Sequence, residues 1–141
     1  MTAGDELNAL LTASLRMAEK HLAGAASFEP FALVTSLEGR MLAAEIDRSQ
    51  LPRHPESDEI ADAAVVQLRG LAPSLLASAL TVNARLARER SDAIEVRLEH
   101  RDGVALLVLV PYKKPKFGGR IEYGDMQTYT GARDVWPRTL S

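Results

Sequence analysis

The sequence predicts an α+β fold in which a mainly antiparallel sheet of five strands carries two helices on one face, in the chain order α-β-β-α-β-β-β. Three observations support this prediction. Apolar residues recur with helical spacing in residues 5–23 and 57–71, they alternate with polar residues from residue 81 onward, and residues 92–110 read as a hairpin. Residues 1–141 have the length of a single domain, and residues 125–141 show no period, so we expect an irregular C-terminal tail.

The first helix is predicted by one apolar stripe and by its end signals. Its stripe consists of Leu7, Leu10, Leu11, Leu15, Ala18 and Leu22. Gly24 suits the left-handed position just beyond a helix end. Two short runs with strand character then flank Glu38 and Gly39, and a glycine there can supply the positive φ of a tight turn.

The second helix follows a polar loop that contains two prolines, and it is interrupted near its end. Its stripe consists of Ile60, Ala64, Val65, Leu68 and Leu71. Gly70 and Pro73 break the pattern, which resumes at residues 75–80. The sequence therefore predicts a kink or a second short helix after Pro73, with strand structure beginning only at Thr81.

The hairpin of residues 92–110 gives a definite pairing register. A three-residue loop that ends at Gly103 pairs Ile94 with Val110 and Val96 with Val108, so that one face carries six aliphatic residues. A two-residue loop would set charged residues opposite the valines. Because a slip of one residue exchanges the two faces, the three-residue loop is predicted.

The sequence leaves open what covers the second face of this hairpin. That face carries Glu95, Arg97, Glu99, Ala105, Leu107 and Leu109. A strand that is apolar on both sides is usually covered twice, so something should cover these leucines. Either the C-terminal tail folds back with Tyr123, Tyr129 and Trp136, or a second subunit or protein partner covers them.

Composition limits the classes of function. The net charge of −2 makes a nucleic-acid binder unlikely, and the absence of cysteine removes disulfides and thiolate chemistry. The longest apolar run is too short to span a bilayer, and the first residues lack the positive charge of a secretion signal. We expect a cytoplasmic protein without membrane contact, metal or cofactor.

Positive charge is concentrated just after the hairpin, while the rest of the chain is acidic. The expected partner-binding residues are Leu107, Leu109, Tyr112, Lys113, Lys114, Lys116 and Phe117. Lysines at this place also blunt a strand edge, which is the favoured interpretation of the cluster. Two alternatives are contact with phosphate and bases, and docking on the acidic surface of a second copy.

The function predicted is a non-catalytic protein-interaction module that self-associates. The alternative is a small-molecule-binding domain or enzyme with a pocket between sheet and helices, which would use Arg53, His54 or His100. None of the three histidines has metal-ligand spacing from another, and no nucleophile elbow or phosphate loop is present in the sequence.

Residues 28–124 resemble a group of small uncharacterised bacterial proteins. The shared pattern is a strand start, a hairpin and a following Pro-Tyr pair, carried by Phe28, Pro30, Phe31, Ala32, Gly39, Asp92, Ala93, Ile94, Glu99, His100, Gly103, Pro111 and Tyr112. This resemblance implies no activity. The segment ALVTSLEGRMLA is also similar to the first hairpin of Roadblock/dynein-light-chain domains, a likeness that implies a non-catalytic dimer.

Overall fold

The computed structural model describes residues 2–116 and 119–137, and it confirms an α+β fold with an antiparallel sheet. The elements in chain order are α1 (Ala3–Gly24), β1 (Phe31–Ser36), β2 (Met41–Ala44), α2 (Ser57–Leu71), a 3₁₀ turn (Ala72–Ser74), β3 (Leu75–Leu86), β4 (Ser91–His100), β5 (Ala105–Lys113), β6 (Glu122–Tyr123) and β7 (Gln127–Thr130).

The sheet has seven strands in the described residues, so the prediction of five was too low. The strand order is β2-β1-β3-β4-β5-β6, and β7 pairs with β5 on the same side as β6. The two extra strands, β6 and β7, form because the outer edge of β5 offers unpaired backbone groups. The segment expected to be an irregular tail supplies β7, and the Gly131 N–H donates to the Ala105 carbonyl at 2.9 Å.

The two helices pack on opposite faces of the sheet, which corrects the prediction that they share one face. Helix α1 packs against Leu33 and Ala79, together with the aliphatic face of β4 and β5. Helix α2 packs against Val34 and Leu80, the next residues along β1 and β3. Since consecutive strand residues point to opposite faces, β1 and β3 are covered on both sides.

Strand β3 begins at Leu75, six positions before the predicted start at Thr81. The run from Leu75 to Val82 is buried on both faces except for the half-buried Leu76, because β3 lies at the middle of the sheet between β1 and β4. A continuous apolar run is compatible with either a buried helix or a central strand, and here the strand forms.

The predicted hairpin register is confirmed. Ile94 pairs with Val110 and Val96 pairs with Val108, and the His100 N–H donates to the Val104 carbonyl at 2.8 Å. Gly103 closes the loop with φ of +112°, in the region that favours glycine. The aliphatic face of the hairpin is therefore turned toward α1.

Helix α1 begins with a reciprocal cap. The Asp5 N–H donates to Thr2 Oγ1 and the Thr2 N–H donates to Asp5 Oδ2, each at 3.1 Å. The bond from the Thr2 backbone holds the pKa of the Asp5 carboxyl below its usual range. Neither α1 nor α2, the helices of the described residues, is long and apolar enough to cross a membrane.

Candidate functional site: an open sheet face and a free sheet edge

One half of the sheet has a side that no helix covers. Helix α2 lies over β1 and β3, whereas the same side of β4, β5 and β7 remains open. Five of the side chains that alternation along the strands places there form what we call the open face: Glu95, Arg97, Leu107, Leu109 and Tyr129. Leu107 lies directly between Arg97 on β4 and Tyr129 on β7, so these side chains form a row across three strands.

The open face combines aliphatic, aromatic and charged groups. Leu107 and Leu109 are half-buried, and Tyr129 is 50% exposed with its hydroxyl donating to Gln127 Oε1 at 2.8 Å. Arg97 Nε donates to Glu95 Oε2 at 2.7 Å. Tyrosine and arginine are enriched among the side chains that carry most of the binding energy in protein interfaces, and the two leucines beside them add apolar area.

The C-terminal segment closes one end of the open face. We call residues 131–137 the strap. The Glu99 carboxylate, on the same side of β4, accepts hydrogen bonds from the backbone N–H groups of Asp134 at 2.8 Å, Val135 at 2.9 Å and Trp136. Three successive N–H groups around one carboxylate form a small anion-binding nest. Glu99, which the sequence places among the polar residues on the second face of the hairpin, is only 4% exposed.

Further contacts fix the strap against α2. Val135 is buried in the cluster that α2 forms with β1 and β3, and Arg69 Nε donates to the Asp134 carbonyl at 2.5 Å. A groove of about 270 Å³ remains between the strap and the open face. Of the three aromatic residues expected to cover the leucines, Trp136 packs against the α2 cluster, Tyr129 lies opposite Leu107, and Tyr123 and Tyr129 stay 39% and 50% exposed.

Tyr112 lies in the core, which corrects its assignment to a partner-binding surface. The side chain is 2% exposed and packs in the α1 cluster, and its hydroxyl donates to Asn83 Oδ1 at 2.9 Å. The same Asn83 oxygen accepts the Phe28 N–H at 3.3 Å. The alternation that points Val108 and Val110 inward also points Tyr112 inward, and that signal in the sequence could have identified it.

Burial raises the pKa of the Tyr112 hydroxyl above its ordinary value near 10. The unfolded chain therefore loses this proton at a lower pH than the folded chain. The stabilisation is present below about pH 10 and is lost as the pH rises through the higher folded pKa. We expect the wild type to lose more stability than Tyr112→Phe between about pH 9 and pH 11, measured by urea denaturation. Equal losses would contradict this prediction.

The lysines that follow the hairpin, Lys113, Lys114 and Lys116, differ in their contacts. Lys114 Nζ donates to the carbonyls of Leu22 at 2.8 Å and Ala25 at 2.5 Å, so it satisfies the C-terminal end of α1. Lys113 and Lys116 are exposed, and Phe117 lies outside the described residues. Lys114 is thus committed to the helix end.

His100 makes buried contacts that join α1 to the β4–β5 turn. Its Nε2 lies 3.2 Å from Glu6 Oε1, and both side chains are less than a tenth exposed. The Asp102 N–H donates to His100 Nδ1 at 3.2 Å. Asp102 Oδ1 is also within 3.0 Å of Nδ1.

The residues of the predicted pocket are not brought together. Arg53 and His54 are exposed in the loop before α2, whereas His100 is buried on the face that carries α1. No hydrogen bond or ion pair joins either loop residue to His100 in residues 2–116 and 119–137. Over the same ranges no group of three or more histidine or acidic side chains is arranged to hold a metal ion.

The free edge of the sheet lies at β2. Strand β2 is the end of the strand order and pairs with β1 alone in the described part of the chain. Its side chains are apolar, and Met41 and Leu42 are 40% and 46% exposed. Sheet edges without charged or proline residues are the places where a further strand can pair.

No protein-family model, curated protein or solved structure matches this chain.

Proposed function

We propose that this protein is a non-catalytic interaction module that self-associates through its open face. The observation that carries the proposal is the row of Leu107, Leu109 and Tyr129 on a part of the sheet that neither helix covers. These large apolar side chains are half-exposed, so contact with a second protein surface would remove apolar area from water. That burial stabilises the contact.

A second copy of the chain fits the open face in charge. The face carries one cation and one anion, Arg97 and Glu95. In a two-fold contact, the same patch meets itself, so Arg97 of each copy can reach Glu95 of the other. No like charges then need to be buried against each other, and the leucines meet leucines.

The enzyme alternative has weaker support. It requires Arg53, His54 and His100 to converge on a pocket between sheet and helices, whereas Arg53 and His54 are exposed in a loop and His100 is buried beside α1. The buried His100 side chain contacts Glu6 and thereby joins β4 to α1. Because this contact is buried between two elements, it supports a structural role better than proton transfer to a ligand.

The first test is the molar mass in solution, measured by light scattering over an about hundredfold range of concentration at low and high salt. We expect the mass to rise from that of one chain, 15.4 kDa, to at least twice that value at both salts. A single-chain mass throughout would contradict self-association. Association lost at high salt would assign the contact to Lys113 and Lys116 instead of the open face.

The second test places the contact on the open face. The double variant Leu107→Ser, Leu109→Ser is expected to weaken this contact at least tenfold, because both apolar anchors are removed. Its own stability should fall by about 1–2 kcal/mol, since the two side chains are half-buried. The matched control is Val66→Ser, which changes a 67% exposed side chain on α2 and should leave the mass unchanged.

A further inference from the structure

The hydrogen-bonding groups of β2 that point away from the sheet are those of Met41 and Ala43. The Ser36 N–H donates to the Arg40 carbonyl at 2.8 Å, which fixes the phase of the β1–β2 ladder. In an antiparallel ladder the bonded pairs alternate, so Leu42 and Ala44 turn their N–H and carbonyl groups toward β1. Met41 and Ala43 present theirs outward, where no strand of the described residues pairs with them.

Apart from its shortness, this edge has none of the devices that keep edge strands apart. Strand β2 contains no lysine, no proline and no bulge, and its four side chains are Met, Leu, Ala and Ala. Such an edge is a template for one more antiparallel strand. A partner must offer backbone N–H and carbonyl groups to those of β2, and only an extended peptide chain can supply such a ladder.

A groove runs beside the edge. It has a volume of about 330 Å³; Met17, Phe31 and Ala43 line it on the face that carries α1, and the charged residues Glu45 and Arg48 also line it. Ala43 points to this face because it pairs with Leu33, a member of the α1 cluster. The small side chain of Ala43 leaves the groove open toward the free edge.

We infer that β2 is a second contact between copies, in which β2 of one chain pairs antiparallel with β2 of another about a two-fold axis normal to the sheet. With this axis, the α1 helices of both copies lie on the same side of the joined sheet. Residues that pair across the contact must therefore point to the same face of the sheet, which limits the allowed registers. The register centred on Leu42 sets Met41 of each copy opposite Ala43 of the other.

That register is favoured because it sets a long side chain against a short one. Met41 of the second copy, opposite Ala43, can enter the groove beside it, and methionine adapts well to such spaces. The neighbouring registers place Met41 opposite itself or opposite Glu45, so no side chain is directed into the groove. In the favoured register Met41 and Ala43 exchange both backbone hydrogen bonds in each of the two symmetric pairs.

This contact goes beyond the proposed function because it uses a different surface from the open face. A chain that makes both contacts assembles beyond the dimer. The paired strands are short, so we expect a dissociation constant on the order of micromolar for the β2 contact alone.

Two variants test the edge without disturbing the core. Met41→Lys puts a charge on the edge and removes the side chain that enters the groove. Ala43→Pro removes an outward N–H, a change that edge strands tolerate because this donor is not used within the chain. Each should raise the dissociation constant of the β2 contact at least tenfold when introduced into the Leu107→Ser, Leu109→Ser background, where the open face no longer contributes.

Hydrogen exchange gives a direct reading of the same contact. The amides of Met41 and Ala43 should become protected as the concentration of the wild-type chain rises, while the amide of the exposed Glu38 in the β1–β2 turn should not. Met41→Lys should abolish the concentration dependence at both edge amides, and Ala43→Pro should abolish it at the Met41 amide, the one that this variant keeps.

The outcomes separate the two contacts. If Met41→Lys and Ala43→Pro leave the mass at the wild-type value while the open-face double variant is a monomer, the edge contact is overturned and the proposed function stands. If the edge variants alone produce monomers, the edge contact stands and the open face is not the self-association surface. A wild-type monomer at every concentration, with unprotected Met41 and Ala43 amides, would overturn both.

Discussion

Replacing Glu99 with alanine is expected to lower the free energy of unfolding by about 3 kcal/mol and to release the strap from the sheet. The carboxylate is buried and accepts the N–H groups of Asp134, Val135 and Trp136. Alanine would leave these donors without an acceptor, and a buried donor without a partner costs about 1–3 kcal/mol. The strap can recover hydration only by leaving the sheet, which exposes Val135.

Two further variants separate this effect from the loss of a charge. Glu99→Gln keeps one acceptor oxygen but turns an amide donor toward the nest, so we expect a smaller loss than for alanine. Asp92→Ala removes a surface partner of Arg85, and the side chains of that pair are 43% and 62% exposed, so the loss should be below about 1 kcal/mol.

Urea denaturation gives the free energies for these variants, and hydrogen exchange shows where the chain opens. In Glu99→Ala the amides of residues 134–136 should exchange quickly while those of β4 remain protected. A variant with wild-type stability and protected strap amides would show that the nest is not what holds the strap.

The central hairpin could be predicted from the sequence because local and long-range requirements agree there. Alternation selects the aliphatic face, and a glycine stands where the loop needs φ of +112°. The register then follows without knowledge of the rest of the molecule. Lys114 shows the limit of such local reasoning, because its partners are carbonyls of α1, about ninety residues earlier in the chain.

The placement of the helices could not be predicted in the same way. A run such as Phe31–Val34 is apolar at every position, so it contains no alternation that would show which face is buried. Both faces are buried, and α2 therefore packs opposite α1. The interpretation of Leu75, Leu76 and Leu80 as helical failed for the same reason, since a central strand removes the polar positions on which periodicity depends.

Glu99 is the clearest case of a site residue that sequence reasoning missed. Its spacing from Glu95 and Arg97 places it on the polar side of β4, and that placement is right. The groups that bury it are backbone N–H groups of residues 134–136, which carry no side-chain signature. Tyr129 was foreseen as part of a returning tail, but its pairing with Leu107 required β7 to be known.

Replacing Gly131 with alanine is expected to lower the free energy of unfolding by about 1–3 kcal/mol, because the added methyl group overlaps the backbone of β5. A Cβ at this position would lie 2.8 Å from the Leu106 carbonyl carbon and 3.0 Å from its nitrogen and oxygen. These are backbone atoms of a strand paired on both sides, so β5 cannot move away. The end of β7 and the start of the strap must move instead.

Gly70→Ala is the matched control, since a Cβ there meets nothing within 4 Å and the residue lies in α2. This variant should be more stable than the wild type by about 0.5–1 kcal/mol, as expected for glycine replaced inside a helix. If Gly131→Ala shows the same gain, the close approach of β7 to β5 is not a constraint on the fold.

The double variant Glu99→Ala, Gly131→Ala then distinguishes one released segment from two separate defects. If both substitutions act by releasing residues 131–137, the second adds little once the first has done so, and the double variant should lose about as much stability as the worse single one. Independent defects would give the sum of the two losses. The first result would identify the strap as one cooperative unit, held at its start by the fit of Gly131 and near its end by Glu99.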